Sequence, residues 1–368
     1  MNDRMISILD NYDMTVLRTW KGRGAILCET EKGTRILREY AGPKDKLCVL
    51  EAVTKKLQDA GFLTDCILRN KDGTLYCEDR DRTLYIVKEY REGRECAASD
   101  LSECVQAVHR LAQIHQVLRI PDEKEIRSGK IETESQAESV DDDTNVINPD
   151  NSDNKEELMD LPVEDHEYRF HLFMPEQEYE RYNRELKRIW KHLREKSTKT
   201  DFEVFLLKHY GFFMEQAAEV LERMKKAKST EYSVRQAGKG LLCHGDFQHH
   251  NILFTQNGMT VINYEKCMQD IQIRDFYLFF RKIMEKNNWN PTVGERLLNG
   301  YETVRVLEEK EREQLCLRLA YPEKFRKVVS YYYNSGKAWI PGKNKEKLET
   351  LLLQEQAKQK VLKELGMV

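Results

Sequence analysis

The sequence lacks the features that mark a membrane, secreted or metal-rich protein. No stretch approaches the roughly 20 apolar residues that a membrane-spanning helix requires. The first residues lack the apolar core of a signal peptide, so we expect cytoplasmic synthesis. The nine cysteines are scattered, with no C-x-x-C pair and no cysteine and histidine cluster at zinc spacing. These absences predict a soluble chain with reduced thiols and no membrane partner.

Net charge is also small, because 60 lysines and arginines nearly balance 63 acidic residues and leave −3. The balance hides an acidic segment, residues 121–165, which has 16 acidic and 4 basic side chains. It has no aromatic residue and no helical or strand period, which is typical of disordered chain. This insert either serves solubility alone or folds back onto the basic remainder and competes with an anionic ligand. The basic excess is diffuse and no DNA or RNA motif accompanies it, so we expect no nucleic-acid partner.

One stretch, from Leu241 to Lys282, carries the motif on which the functional interpretation depends. It reads as a short apolar strand, the loop His244-Gly245-Asp246, and a second strand from Met259 to Tyr264 after an Asn-Gly turn. Phosphoryl transfer needs a carboxylate that accepts the hydroxyl proton of the substrate and a nearby amide oxygen that holds a metal ion. The spacing Asp246-x4-Asn251 supplies both groups from one loop.

The loop HGDFQHHN, the downstream RDFYLFFRK and much of the chain outside the insert resemble the CotS family of spore coat proteins. That family is part of the aminoglycoside phosphotransferase and choline kinase superfamily. The resemblance implies an α+β, bilobal, protein-kinase-like fold with a small β-rich N-lobe and a large helical C-lobe. It also implies a spore coat location and other spore coat proteins as partners. The implied parts are an N-lobe (1–92), a hinge and first C-lobe helix (93–120), the disordered insert (121–165) and a helical C-lobe (166–368) with the catalytic-type loop (241–265).

The same resemblance assigns roles around the loop. His244 and Asp246 become catalytic-loop residues, and Asp275 supports the loop by binding its backbone. The residue that closes the second strand is Asn263, where active relatives have a metal-binding aspartate. A neutral amide gives up most of the Coulomb attraction that Mg²⁺ finds in a carboxylate. Glu265 lies two residues further on and would share a strand face with Asn263, so it either reaches the ion or is a solvated carboxylate.

The nucleotide side of the site is less specific. Gly22 and Gly24 stand at the apex of a predicted hairpin, where their backbone either covers phosphates or makes an ordinary turn. Glu89 and Tyr90 fall at the implied hinge, where backbone groups would meet an adenine.

Two charged residues complete the nucleotide side. Arg38 stands where relatives have a phosphate-binding lysine. Its planar guanidinium group is not equivalent to the compact ammonium group of a lysine. Glu51 lies on a helix predicted from Lys46 to Ala60. It is either the acidic partner of the phosphate-binding position at Arg38 or an exposed carboxylate.

Three functions are compatible with these residues. The favoured one is a kinase-like coat protein with a degenerate phosphotransfer site that acts in coat assembly by binding, because losses within such a site are large and non-additive. The second is an active ATP-dependent phosphotransferase on a small hydroxylated molecule, with Asp246 as base, Asn251 and Glu265 on Mg²⁺, and Arg38 on the phosphates. The third is a cytosolic regulator that binds nucleotide without turnover. We expect ATP and Mg²⁺ to bind weakly or not at all.

Overall fold

The computed structural model describes residues 6–121, 170–334 and 341–365. Its contacts divide the chain into two compact units. The described part of the first unit is residues 6–53 and 66–89, and that of the second is residues 54–65, 90–120, 170–334 and 341–365. The acidic insert, predicted to be disordered, lies outside the described residues apart from Pro121.

The first unit is built on an antiparallel sheet. Its strands lie in the order β1-β2-β3-β5-β4. On β2 every second residue is buried, as expected for a strand with one face on a core. The core beneath it contains Ile8, Leu9, Tyr12, Ile26, Cys28, Leu37, Cys77, Tyr85 and Val87. The strands are β1 (Val16–Gly22), β2 (Ala25–Thr30), β3 (Gly33–Tyr40), β4 (Cys77–Glu78) and β5 (Leu84–Glu89).

The second unit is mainly helical and holds a small three-stranded sheet. Hydrogen-bonding caps fix several helix starts, because the first N–H groups of a helix lack intrahelical partners. Asp100 accepts the backbone N–H groups of Ser102 and Glu103, and Thr200 forms a capping box with Glu203. The strands are β6 (Arg94–Glu95), β7 (Ile252–Thr255) and β8 (Gly258–Val261), in the order β6-β7-β8.

Ten helices are described. The helix α1 follows β3 and buries Leu47, Leu50, Val53 and Leu57, which repeat at helical spacing. The helices are α1 (Asp45–Asp59), α2 (Leu101–Val117), α3 (Pro175–Glu195), α4 (Asp201–Lys226), α5 (Ser229–Ala237), α6 (Ile273–Lys286), α7 (Pro291–Glu302), α8 (Glu309–Ala320), α9 (Glu323–Asn334) and α10 (Pro341–Glu364). Within the described ranges, no helix combines the length and apolar character needed to cross a bilayer. The predicted α+β class is confirmed.

The end of β8 differs from the sequence prediction in a way that matters for the site. The strand ends at Val261 instead of Tyr264, and a 3-10 turn covers Tyr264–Lys266. Between them, Asn263 adopts a left-handed backbone with φ 69° and ψ 59°. Asparagine tolerates this conformation better than most residues. The argument that Glu265 shares a strand face with Asn263 is therefore wrong, because no strand continues there.

Candidate functional site

Asp275, in the first turn of α6, holds the loop that contains the predicted catalytic residues. Its carboxylate accepts the backbone N–H groups of His244, at 2.6 Å, and of Gly245, at 2.9 Å. The Nε2 atom of His115 lies 3.2 Å from the same carboxylate, and Asp275 is fully buried. Burial would raise the pKa of the Asp275 carboxyl, but the hydrogen bond from His115 and the backbone donors lower it, and the net shift is downward.

A chain of hydrogen bonds continues from Asp275 into two helices. Complete burial lowers the pKa of His115, which favours a neutral ring. Its Nδ1 lies 2.7 Å from the hydroxyl of Tyr301, and Arg305 donates to that hydroxyl at 3.2 Å. The hydroxyl can then donate to Nδ1 while Nε2–H donates to Asp275, which fixes the tautomer. The loop is thus tied to α2 and α7 through one buried network.

Gly245 can only be a glycine in this loop. Its φ is +79°, and a Cβ atom built on it would lie 2.0 Å from the backbone oxygen of Lys266. A side chain would therefore need both a disfavoured backbone conformation and displacement of the following turn. The close approach brings the 3-10 turn against the loop and sets the position of the Lys266 side chain.

Both carboxylate oxygens of Asp246, the predicted base, already accept hydrogen bonds. Oδ1 accepts from Gln248 Nε2 at 2.8 Å, and Oδ2 pairs with Lys266 Nζ at 2.9 Å. The Asp246 side chain is 25% exposed and the Lys266 side chain 69% exposed. A substrate hydroxyl would have to share this carboxylate with two donors already in place. Sequence reasoning missed Lys266 and Gln248, since no motif spacing indicates either residue.

The side chains of Asn251 and Asn263, two of the predicted metal ligands, form a hydrogen bond with each other. Asn251 donates from Nδ2 to the backbone oxygen of Asp246 at 2.8 Å, and its Oδ1 accepts from Asn263 Nδ2 at 2.9 Å. Asn251 is only 6% exposed. The backbone N–H of Asn263 points to the buried carboxylate of Asp65, at 3.1 and 3.3 Å from its oxygens. Asp65 is an acid that sequence reasoning missed, because it lies 198 residues away in the chain.

The side chains of Asn251 and Asn263 do not form a ligand set that suits Mg²⁺. The ion is a hard cation that prefers charged oxygen ligands, and both amides here are neutral and engaged with one another. Glu265 lies in the 3-10 turn and is partly buried. Across the described ranges, no group of three or more His, Cys, Asp or Glu side chains is arranged to hold a metal ion.

The predicted phosphate-loop glycines lie at the turn between β1 and β2. Gly22 pairs with Ala25, and Gly24 has φ +63° with open space around its Cβ position. Glu89 is the last residue of β5 in the first unit, and Tyr90, 40% exposed, begins the next part of the second unit.

Arg38 and Glu51, the two charged residues predicted for the nucleotide side, also lie in the first unit. Arg38 is on β3, opposite Ile86 of β5. The carboxylate of Glu51 on α1 accepts hydrogen bonds from Arg69, from Nε at 2.9 Å and from Nη2. Arg69 was not foreseen as a partner of Glu51, because the pair is 18 residues apart and no helical spacing relates them.

Comparisons with known proteins indicate a family and a fold for this chain. The family described as "Spore coat putative kinase YutH" matches residues 177–365, just over half of the chain. Spore coat protein S of Bacillus subtilis (strain 168) is 24% identical over 166 residues, which cover 45% of this chain and 47% of that protein. The chain thus matches about half the length of this curated relative.

Solved structures show the same fold at low identity. An aminoglycoside phosphotransferase from Alicyclobacillus acidocaldarius gives a TM-score of 0.71 at 16% identity and covers 98% of this chain and 95% of its own. Spectinomycin phosphotransferase, solved with ADP and spectinomycin, gives 0.60 at 11% identity, with 96% and 97% covered. Amicoumacin kinase, solved with AMP-PNP and Ca²⁺, gives 0.57 at 13% identity, with 98% and 94% covered. The predicted kinase-like fold and the resemblance to spore coat proteins are confirmed.

Proposed function

Because the chain belongs to the family described as "Spore coat putative kinase YutH", we propose that it is a kinase-like coat protein with a degenerate phosphotransfer site. It acts in coat assembly by binding other coat proteins, and ATP and Mg²⁺ bind weakly or not at all. Membership of this family confirms the predicted assignment to the spore coat. The partners and the loss of chemistry are the parts that we propose.

The hydrogen bond between Asn251 and Asn263 is the observation that carries the proposal. A carboxylate charge 4 Å from a divalent ion contributes about 8 kcal/mol at an effective dielectric of 20, and a neutral amide supplies only its dipole. One lone pair of the Asn251 amide oxygen is also already taken by the Nδ2 donor of Asn263. Both effects weaken metal binding at the place where phosphoryl transfer needs it.

The contacts of Asp246 support the same conclusion. A base that receives the hydroxyl proton of a substrate must lie within hydrogen-bond reach of that hydroxyl. Here Lys266 and Gln248 occupy one carboxylate oxygen each. A binding role makes no such demand, because the loop then only has to keep its shape.

An active phosphotransferase is the second candidate. In its favour, Asp246 and Asn251 still lie in one loop, and Asp275 still accepts two backbone N–H groups from that loop. The spectinomycin phosphotransferase and the amicoumacin kinase were solved with ADP and with AMP-PNP and Ca²⁺. A regulator that binds nucleotide without turnover is the third candidate. The measurement of Tm with magnesium ATP, described next, tests this candidate as well.

Thermal melting with and without magnesium ATP tests the proposal. A ligand at about 100 times its Kd stabilises a protein by about 2.7 kcal/mol, which raises Tm by about 5–10 °C in a domain of about 150–250 residues. We expect 1 mM magnesium ATP to leave Tm unchanged and to release no ADP. A clear rise without ADP release would favour the regulator. ADP release that is abolished by Asp246→Asn would establish the enzyme and end the proposal.

A further inference from the structure

A pair of lysines beside the loop takes no part in the contacts described above. Lys282 and Lys286 lie one turn apart on α6, so their side chains leave the same face of the helix. Lys282 Nζ donates to Gln248 Oε1, and Lys286 Nζ lies 3.2 Å from Nε2 of His249. Both partners are side chains of the loop that contains Asp246. Among the described residues, neither ammonium group of this Lys282–Lys286 pair forms an ion pair.

Partial burial makes this arrangement costly for the charge of Lys282. Burial and the like charge of Arg281 lower the pKa of Lys282 to about 8, although Asp246 acts in the opposite direction. The lowered pKa of Lys282, in a side chain that forms no ion pair within the described residues, indicates positive charge that is short of counter-charge.

The ring of His249 lies beside the same pair of lysines and meets Lys286 through Nε2. When Lys286 donates to Nε2, the ring proton must be on Nδ1. That Nδ1 atom is buried and has no hydrogen-bond partner in the described part of the chain. A buried N–H without an acceptor costs free energy, so an acceptor close by would stabilise the ring.

The carboxylates that act on Lys282 are already engaged with other cations. Asp246 pairs with Lys266 at 2.9 Å, and Glu285 pairs with Arg281 and, at 3.2 Å, with Lys324. The protein therefore does not supply an anion to the lysine pair from these groups.

We propose that Lys282 and Lys286 bind an oxyanion, a carboxylate or phosphate group, carried by an acidic partner peptide. This inference rests on the proposed function, because it names the chemistry of the partner that the loop binds. Charge-assisted hydrogen bonds to ammonium groups are about twice as strong as neutral ones, and an incoming anion supplies counter-charge to the partly buried Lys282. A polycationic ligand such as an aminoglycoside would meet like charge here.

Peptide binding with a matched charge control tests the inference. The probes are three fluorescein-labelled peptides of equal length, one rich in glutamate, one with phosphoserines and one rich in lysine, measured by anisotropy at 0.15 M salt. The test variant is Lys282→Gln/Lys286→Gln. The control is Lys187→Gln/Lys191→Gln, which removes two exposed charges at the same spacing on α3. We expect the test variant to bind acidic peptide about tenfold more weakly, and the control to differ by less than about twofold.

Each outcome decides the inference. Selective loss with either acidic peptide supports it, and the tighter peptide identifies the oxyanion. Equal loss in the control, equal binding of the lysine-rich peptide, or no binding of either acidic peptide overturns it. Lys286→Gln alone, at an exposed position, serves if the double variant does not fold.

ADP release in the same samples tests the proposed function separately. Turnover together with peptide selectivity would rule out a function by binding alone. The lysine pair would then be the place that binds the phosphate-accepting substrate. No turnover and no selectivity would end this inference alone.

Discussion

Replacing Asn263 with aspartate should convert an amide pair into a site that needs a cation. In the native protein Asn263 donates to Asn251 Oδ1 at 2.9 Å. A carboxylate of nearly the same size cannot donate, so two oxygens would face each other at about that distance. The new charge would also lie near the buried carboxylate of Asp65, which accepts the N–H of residue 263. Without a metal ion the variant should be less stable.

The size of the effect follows from burial. Asn251 is 6% exposed, so losing its donor leaves a buried acceptor unsatisfied, which costs about 1–3 kcal/mol. A central value of about 2 kcal/mol corresponds to a fall in Tm of about 4–8 °C for a domain of 150–250 residues. Mg²⁺ should restore this loss in Asn263→Asp, because the two oxygens and the new charge now form a ligand set of the kind that the ion prefers.

Circular dichroism melting in EDTA and in 10 mM Mg²⁺ measures both halves of this prediction. Asn257→Asp is the control, because it adds the same charge at an exposed turn position beside β7 and β8. The control should melt like the native protein in both buffers. The reasoning is refuted if Asn263→Asp melts like the native protein in EDTA, or if Mg²⁺ raises Tm equally in both.

Three further changes test the support of the loop. Gly245→Ala should lower the urea midpoint more than Gly61→Ala, since both have φ near +80° but only the first Cβ would clash, with the oxygen of Lys266; equal midpoints would contradict the close contact. Asp275→Asn should cost about 2–4 kcal/mol of unfolding free energy, because buried N–H donors lose a charged acceptor; a cost below about 1 kcal/mol would mean that the network is weak. The lowered pKa of His249, about 4, means that the unfolded chain binds more protons between pH 6.5 and 4, so stability falls as the pH falls through that window. Urea titrations across this range should show a shallower fall in His249→Asn, and an unchanged slope would rule out this contribution.

Local patterns in the sequence predicted much of the fold. Helical spacing predicted a helix from Lys46 to Ala60, and the structure has Asp45–Asp59. The Asn-Gly turn predicted the hairpin that β7 and β8 form. Such features depend on neighbours within a few residues, which a sequence displays directly.

The partners of the site residues could not be predicted in the same way. Lys266 is 20 residues from Asp246, and Lys282 is 34 residues from Gln248. These contacts depend on how a turn and a helix pack against the loop, and lysines are common on any solvated helix face. The sequence indicates the charge of each residue but not which carboxylate or amide it meets.

The left-handed backbone at Asn263 shows a second limit. Val261, Ile262 and Tyr264 have strong strand propensity, so the prediction extended β8 to Tyr264 across Asn263. Two other preferences prevailed, the tolerance of asparagine for positive φ and the acceptance of its N–H by Asp65. A distant carboxylate ended the strand, and no window around residue 263 contains it.

The glycine and the buried aspartate beneath the loop have a consequence for how such motifs are used. Gly245 is required by a backbone oxygen at 2.0 Å from its Cβ position, and Asp275 by two N–H groups that would otherwise be orphaned. A lineage that no longer transferred phosphate would still keep both residues, because losing either would unfold the loop. A match to this motif therefore indicates the geometry of the loop, which Gly245 and Asp275 stabilise, and does not by itself indicate phosphoryl transfer.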